Sequence, residues 1–423
     1  MELLSFFSPQ TITLLVLFAV VAAMIWDRVR SDVVALSGAA VLLLTGVVRP
    51  IQVQSAFASP AIVTLASLFV IAYAMELSGL LDASIKALVA LCRRIGRTGL
   101  WIVIALAGVA STFLNNTPIV VLSAPVVRDA AKSLHLSPKG FLIPLSYAAV
   151  LGGGCTLIGT STNLLVNDMA AVAGQPRFAL FEIAPVGIAM ALAGGLYLIL
   201  FSRRLISDDH AETEVPDGPP AAEPGLAGAQ VGSLRAFVPS RKFRPVKAIA
   251  SLIVFVGVIG LAAMNVAPIA ACAFAGAVLL ILLRVVTADE AYKGLRADVL
   301  MLIAGMLVLG IALNVSGVAS SGTQVLIGSL EGLSPLSALI IVYAATLFAT
   351  ELLSNATVAV LFTPLAVSLA EALHVSPRPF LVAVMAAGSA AFATPSAIRP
   401  MPSSIRWGGI NIWTSSRSGF RST

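Results

Sequence analysis

Long apolar runs separated by short polar segments form the main pattern along this chain. A hydrocarbon core about 30 Å thick is crossed by a helix of about 20 consecutive apolar residues. Runs that approach or reach this length predict membrane-spanning helices, with lipid as the solvent. They occupy residues 12–25, 33–48, 61–80, 183–201, 248–264, 267–283 and 299–318.

One polar stretch divides the chain into two units. Residues 207–245 are rich in Gly, Ala and Pro and contain consecutive pairs of aspartate and of proline. Such a composition buries too little apolar surface to fold, so we expect a disordered cytoplasmic linker. It separates a first transmembrane unit, residues 1–206, from a second one, residues 246–395.

Composition and charge agree with a membrane protein and indicate its orientation. The chain is 58% hydrophobic and 11% charged, with a mean hydropathy of +0.99. Before Pro395, nearly all Lys and Arg residues fall in loops on one side, and only Arg49, Arg177 and Arg378 fall on the other. The rich side is cytoplasmic in a bacterial inner membrane, so the amino terminus is expected outside. The net charge of +6 follows from this anchoring and predicts no nucleic-acid partner.

The second unit repeats the first. Segment 134–138, Leu-His-Leu-Ser-Pro, returns as Leu-His-Val-Ser-Pro at 373–377, an offset of 239 residues. Matches around Ser78 and Asn115 recur in the same order at offsets of 238 and 239 residues. Because the first unit starts outside and the second starts inside, the repeats are inverted. Secondary transporters are typically built this way, with a binding site near the midplane.

Each unit contains an apolar stretch that polar residues interrupt, at 111–118 and at 350–357. The segments flanking the first interruption have only about 14 residues, or roughly 21 Å at helical rise. Both interruptions therefore predict re-entrant hairpins with tips inside the membrane. A helix is expected to begin at each tip, capped by Thr117 in the first and by Ser354 or Asn355 in the second. Its N–H groups favour an anion, while nearby carbonyl and side-chain oxygens suit sodium.

A second break follows the first hairpin. Residues 152–163 combine three consecutive glycines with several hydroxyl side chains and an asparagine. Glycine is unfavourable in a helix interior, so this stretch predicts a discontinuous helix. We expect its carbonyl groups to face the hairpin tip and to close a cation site.

Ionisable and metal-binding side chains are scarce. The three Cys and three His residues show no metal-ligand spacing and no disulfide framework. Glu76 and Glu351 fall within apolar stretches, where ionisable residues are functional candidates. We expect Glu351 to brace the hairpin and Glu76 to lie near a helix end; proton coupling through either is the alternative.

The residues at both tips resemble those of the divalent anion/sodium symporters, the dicarboxylate and sulfate carriers of the wider ion-transporter superfamily, which carry paired Ser-Asn-Thr motifs. The likeness extends over nearly the whole chain up to Pro395. It implies an elevator-type carrier, usually a homodimer, that moves a small anion with sodium as the coupling ion and has no cofactor. Asn115 and Ala356 depart from the motif, which leaves dicarboxylate and sulfate both open.

The resemblance also implies, by position, which residues bind sodium and substrate. The sodium ligands would be Ser111, Asn115, Asn116 and the backbone of Gly159 at one site, and Thr350, the Leu353 carbonyl and Asn355 at the other. The substrate ligands would be Asn116, Thr117, Thr160, Ser161, Ser354 and Asn355.

The carboxyl end departs from the repeat. Residues 396–423 contain four Arg residues and no apolar run, so they are not expected to cross a bilayer. One set of codons for 396–403, TCG GCT ATC AGA CCA ATG CCC TCG, reads Ile-Gly-Tyr-Gln-Thr-Asn-Ala-Leu when one A is added in front. That string resembles residues 158–165. We therefore expect a frameshifted, non-native tail, with the second broken helix and the last span missing.

The expected fold is an all-α membrane protein with two inverted repeats, each with transmembrane helices, a re-entrant hairpin and a broken helix. The expected function is sodium-coupled symport of a small anion. The alternatives are an arsenite or sodium/proton antiporter of the same superfamily, or an inactive truncated membrane protein. An intramembrane enzyme is not supported, because the spans lack a zinc motif and paired aspartates.

Overall fold

The computed structural model describes residues 8–26, 28–80, 83–84, 95–114, 116–134, 136–205, 243–318, 321 and 334–390. Within these ranges the regular elements are helices, with no strand among them. Most of the expected linker lies outside the described residues, and so does the chain from residue 391 onward, with the expected second broken helix and the 396–423 tail.

The described helices fall into two groups, one on either side of the linker. The first group consists of α1 (Pro9–Trp26), α2 (Ser31–Leu44), α3 (Pro50–Phe57), α4 (Pro60–Leu77), α5 (Arg97–Ser111), α6 (Asn116–Ser133), α7 (Lys139–Gly153), α8 (Ser161–Val172) and α9 (Ala184–Leu205). The second consists of α10 (Pro245–Ala263), α11 (Ile269–Leu282), α12 (Ala288–Gly294), α13 (Ala297–Val315), α14 (Pro335–Leu352), α15 (Asn355–Ala372) and α16 (Arg378–Ser389).

The seven apolar runs lie mainly in helices α1, α2, α4, α9, α10, α11 and α13. By length and composition, five of the described helical stretches can cross a membrane: α1, α3 with α4, α10, α13 and α15. Two expectations need correction. The run 33–48 is helical only to Leu44, after which the chain turns. Helix α6, which follows the first tip, has 18 residues and is longer than the segment of about 14 residues expected there.

Proline and serine fix several helix starts. Pro60 opens α4 and Pro335 opens α14, where a fixed φ suits the first helical turn and the missing N–H is not needed. Ser59 precedes α4 and its hydroxyl accepts a hydrogen bond from the Ile62 amide at 3.3 Å. Ser334 caps α14 in the same way, through the Ser337 amide at 3.2 Å. These caps satisfy amide groups that the helix itself leaves unpaired.

Helices pair in the same pattern in the two groups. Helix α2 packs on α13 and α11 packs on α4, so each group contributes one partner to each contact. Helices α5, α6 and α7 pack on one another, as do α14, α15 and α16. Helices α6 and α15 begin 239 residues apart, which is the offset of the sequence matches. The interlocked pairs α2–α13 and α4–α11 hold the two groups together.

Buried apolar residues form two cores. The larger contains residues of α2, α4, α11 and α13 together with α8, α15 and α16. The smaller belongs to α5, α6 and α7, with Leu100, Val127 and Leu145 fully buried at its centre. Large apolar side chains cover the outer faces of α9 and α10, for example Leu192 and Val246. Lipid accepts such faces, because hydrocarbon solvates them as well as a protein core does.

We predict that Gly305→Ala lowers the stability of the fold. A Cβ atom built on Gly305 of α13 would lie 2.8 Å from the Ala35 carbonyl carbon of α2, so the backbones must separate. Overpacking of this kind costs about 1–3 kcal/mol. The matched control is Gly257→Ala on α10, where the added Cβ atom would meet open space and alanine favours the helix. Thermal unfolding of the detergent-solubilised protein measures both, and equal effects would contradict the prediction.

Candidate functional site

The first tip lies between α5 and α6. Helix α5 ends at Ser111, which is fully buried and whose hydroxyl donates to Asn116 Oδ1 at 2.6 Å. Helix α6 begins at Asn116, so Thr117 lies within the first turn and the expectation that it caps the helix is wrong. Pro118 is tolerated at the third helical position because the amide it lacks would have had no partner in the helix. Asn115 and the Thr117 side chain lie outside the described residues.

The second tip lies between α14 and α15. Ser354 has an extended backbone and its hydroxyl accepts a hydrogen bond from the Thr357 amide at 3.3 Å, which confirms it as the N-cap of α15. Leu353 is also extended, so its carbonyl leaves the direction of the helix. Thr350 donates to Asn355 Oδ1 at 3.1 Å and also lies 3.2 Å from the Gly388 carbonyl. The second tip is thereby attached to the end of α16.

The expected break in the first unit is confirmed. Helix α7 ends at Gly153 and α8 begins at Ser161, with turns between them. Thr160 caps α8, since its hydroxyl accepts a hydrogen bond from the Asn163 amide at 3.2 Å. The Thr156 hydroxyl donates to the Thr112 carbonyl at the first tip. The break between α7 and α8 is therefore in direct contact with the first tip.

Glycine allows the break and the first tip to approach each other closely. A Cβ atom built on Gly153 would lie 2.5 Å from Asn116 Oδ1 and 3.0 Å from Thr160 Cγ2. A Cβ atom on Gly159 would collide with the Gly153 carbonyl. Three of the residues expected from the sequence, Asn116, Gly159 and Thr160, therefore surround Gly153. Only a residue without a side chain fits at that centre.

The break also contacts the second group of helices. Thr160 Oγ1 lies 3.3 Å from Ser389 Oγ at the end of α16. A Cβ atom on the neighbouring Gly388 would lie 3.3 Å from Thr162 Cγ2. Since Gly388 also accepts from Thr350, a continuous set of contacts runs from the first tip through the break to the second tip. Ser389 was not expected from the sequence, where it is one small residue in an alanine-rich stretch.

A cleft opens beside the cluster that the two tips and the break form, and apolar side chains line most of it. Ser389, Gly154 and Asn163 are among the residues that line it. Asn163 is only 1% exposed and donates through Nδ2 to the Thr156 carbonyl at 3.0 Å. Its Oδ1 atom has no hydrogen-bond partner among the described residues.

The cluster combines groups that suit both signs of charge. Helices α6, α8 and α15 begin here, and their free N–H groups and positive dipole ends favour an anion. Helices α5, α7 and α14 end here, and their last carbonyl groups favour a cation. Among the described residues no group of three His, Cys, Asp or Glu side chains could hold a metal ion.

The two acidic candidates lie in last helical turns. Glu76 is the penultimate residue of α4, as expected for a position near a helix end, and Glu351 is the penultimate residue of α14. Glu351 is partly buried close to the second tip, whereas Glu76 is exposed.

Comparison with known proteins identifies the family. A family model described as "Citrate transporter" matches residues 21–387, which is most of the chain. The chain belongs to the citrate transporter family. The resemblance to the divalent anion/sodium symporters is thereby confirmed, and the proteins of this family and the relatives described next are membrane transporters rather than enzymes.

Two relatives of this family member carry names that specify an ion and a substrate. The sodium-dependent dicarboxylate transporter SdcS of Staphylococcus saprophyticus is 25% identical over 409 residues, covering 90% of this chain and 77% of that protein. Probable sodium/sulfate cotransporter 3 of Chlamydomonas reinhardtii is 46% identical over 105 residues, covering 23% of this chain and 12% of that protein. The chain spans about a third or less of the length of the relatives it matches first.

A solved transporter has the same fold. The crystal structure of the Alcanivorax borkumensis YdaH transporter superposes with a TM-score of 0.52 at 16% identity, covering 80% of this chain and 76% of that one. Identity this low shows the fold alone. The all-helical membrane fold expected from the sequence is confirmed by this match.

We predict that Gly187→Ala on α9 disturbs the cluster. A Cβ atom there would lie 2.5 Å from the Gly154 carbonyl oxygen and 2.6 Å from Cys155 Cα, so the break must shift. The expected loss of stability is about 1–3 kcal/mol. Gly195→Ala on the same helix has open space around it and serves as the control. Unfolding temperatures of the purified variants decide the matter; a Gly187 variant as stable as the Gly195 variant would refute the close packing.

Proposed function

We propose that this citrate transporter family member is a secondary active transporter that carries a small anion, a dicarboxylate or sulfate, together with sodium. The observation that supports the proposal is the set of contacts that joins the two polar tips through the break. Backbone groups that leave a helix within a membrane are tolerated where they line a cavity or are buried in protein. Here they gather at one place, beside a cleft.

The anion is expected to bind at the helix starts. Ser354 and Thr160 cap α15 and α8 and leave other first-turn amides free. Asn116 and Asn355 stand at the first positions of α6 and α15 and add side-chain donors. Thr117 and Ser161 complete the proposed substrate ligands by position. Amide N–H groups and a positive dipole end stabilise an oxyanion without any basic side chain.

Sodium is expected to bind at the helix ends. The proposed first site comprises Ser111, Asn115, Asn116 and the Gly159 backbone, and Asn116 Oδ1 lies 2.6 Å from Ser111 Oγ. The proposed second site comprises Thr350, the Leu353 carbonyl and Asn355. Neutral carbonyl and hydroxyl oxygens at broken helices coordinate sodium in transporters of this architecture. The names of the sodium-coupled relatives support the choice of ion.

The proposed mechanism is of the elevator type. Helices α5–α9 with α14–α16 carry the cluster and would form a moving unit, whereas α1–α4 with α10–α13 interlock and would form a fixed frame. The equivalent helix pairings support two inverted repeats, over residues 1–206 and 246–395. We further propose a homodimer in the bacterial inner membrane, with the amino terminus outside and the linker in the cytoplasm.

The proposal predicts sodium-driven uptake of labelled succinate or sulfate into proteoliposomes. Asn116→Ala and Asn355→Ala are each expected to raise the half-saturating substrate or sodium concentration by about tenfold, because each removes hydrogen bonds to a charged ligand. Ser37→Ala is the control, since Ser37 is exposed on α2 and bonds only within its own helix. Uptake that is independent of a sodium gradient would contradict sodium coupling.

The antiporter alternative is tested in the same assay. It requires a membrane carboxylate in the transport path, for which Glu76 and Glu351 are the candidates. The sodium symport proposed here predicts that Glu76→Gln and Glu351→Gln retain sodium-driven uptake. Loss of uptake in either variant, with normal folding, would favour proton coupling instead.

A further inference from the structure

Thr156 connects the break to the first tip. It is 1% exposed, and its hydroxyl donates to the Thr112 carbonyl just beyond the end of α5. The same oxygen accepts a hydrogen bond from the Gly159 amide at 3.2 Å. Its own carbonyl accepts from Asn163 Nδ2 at 3.0 Å. The hydroxyl of Thr156 therefore both donates and accepts a hydrogen bond, and it connects the loop of the break to the first tip.

These bonds determine which oxygens remain free near the first proposed sodium site. The Thr112 carbonyl is one of those that a helix end leaves unpaired, and Thr156 occupies it. Gly159, whose backbone is a proposed sodium ligand, is held by the same hydroxyl. A change at Thr156 would therefore alter both the hairpin end and the loop that faces it.

We propose that Thr156 is a positioning residue for the first sodium site: its hydroxyl sets the distance between the end of α5 and the loop that carries Gly159. The inference rests on the sodium coupling proposed above. A positioning role differs from a purely structural one in its consequence. Loss of the hydroxyl would lower the affinity for sodium, and not only the stability of the protein without sodium.

The test measures how sodium raises the unfolding temperature of the purified protein in the absence of substrate. Thr156→Val keeps the shape and removes the hydroxyl, so the half-saturating sodium concentration is expected to rise by about three- to tenfold. Thr156→Ser restores the hydroxyl and is expected to return the value towards that of the wild type. Thr346→Val is the matched control, because Thr346 is fully buried but bonds only to Val342 of its own helix.

An unchanged half-saturating concentration in Thr156→Val overturns the inference, and Thr156→Ala provides the same reading if the valine variant does not fold. If sodium does not change the unfolding temperature of the wild type, that result contradicts the proposed sodium coupling itself. The two failures are thus distinguishable in one experiment.

A second inference comes from the segment 174–183, which joins α8 to α9. The Phe178 amide donates to Asn167 Oδ1 at 2.7 Å, and the Leu157 amide donates to the Leu180 carbonyl at 3.1 Å. The segment is therefore attached both to α8 and to the break. It lies at the end of the molecule where α8 and α15 finish and α4 and α16 begin.

The same segment is attached to the second group of helices. Arg378 at the start of α16 forms an ion pair with Glu182, and its guanidinium lies 4.7 Å from the centre of the Phe178 ring. Gln175 Nε2 donates to Glu371 Oε1 of α15 at 2.8 Å. These contacts join the parts of the proposed moving unit to each other.

Asp168 connects this network to the proposed frame. Its side chain is 5% exposed, Oδ1 lies 3.6 Å from Arg177 Nε, and Oδ2 accepts a hydrogen bond from the Ala61 amide at 3.1 Å. Ala61 lies in the first turn of α4, where the amides lack helical partners and a carboxylate is favoured. The neighbouring contact of Met169 with Gly310 of α13 is apolar. Apolar contact is non-directional and tolerates sliding, whereas the Asp168 bond holds one position.

We infer that Asp168 is a latch that holds the moving unit against the start of α4 in this conformation and must release when the unit moves. The inference rests on the proposed elevator mechanism. Removal of a latch raises the rate of movement, whereas loss of a merely structural contact lowers the rate or leaves it unchanged. The sign of the rate change therefore separates the two roles.

The test is exchange of labelled succinate or sulfate across proteoliposomes with equal substrate and saturating sodium on both sides. Asp168→Ala is expected to raise the exchange rate by roughly threefold or more. Asp168→Asn keeps an acceptor for the Ala61 amide and should give an intermediate rate. Asp298→Ala is the control, because Asp298 also lies in a first helical turn but is 46% exposed and pairs with Arg296.

Rates at or below the wild-type rate in both Asp168 variants overturn the latch. The asparagine variant decides the matter alone if the alanine variant does not fold. Absence of exchange in the wild type would instead contradict the proposed transport function.

Discussion

Backbone amide and carbonyl groups that leave a helix inside a membrane find no water there, and every other feature of this site follows from that constraint. The two tips and the break interrupt helices within an apolar chain, so their free backbone groups must form hydrogen bonds with one another. Ser354 and Thr160 cap the helices that begin, and the Thr156 hydroxyl occupies a carbonyl just beyond a helix that ends. The groups that remain are the ones available to the proposed anion and cation.

These hydrogen bonds between the tips and the break are possible because the backbones approach each other closely. Gly153 lies against Asn116 and Thr160, and Gly187 lies against the Gly154 carbonyl. A side chain at either glycine would separate the elements by more than a hydrogen bond tolerates. The cluster is thus packed as tightly as a protein interior, while the larger core around α2, α4, α11 and α13 is held by apolar side chains. Rigid placement of the proposed ligating groups and the proposed movement of the whole unit are compatible because they depend on different contacts.

The sequence predicted those features that local composition determines. Polar residues within apolar stretches located both tips, and consecutive glycines located the break. Ser354 was one of the two caps expected at the second tip, because serine, threonine, asparagine and aspartate favour that position. The assignment of Thr117 as a cap was wrong, since the helix already begins at Asn116 and Thr117 is its second residue. Ser389, the bridging role of Thr156 and the Asp168 network could not be predicted, because each depends on contacts between segments distant in sequence. The contact of Thr160 with Ser389, for example, joins residues 229 positions apart.

The central claim is that the break brings the two tips into one cluster, and cross-linking within the membrane tests it most directly. The measurement introduces cysteine at positions 160 and 389, whose side-chain oxygens lie 3.3 Å apart, with the three native cysteines replaced by serine. A distance this short lies within reach of a disulfide bond. The account predicts rapid disulfide formation in native membranes with a mild oxidant, detected after cleavage of the 207–245 linker by two fragments that stay joined until reduction. Fragments that separate without reduction, while the chain remains folded, would contradict it.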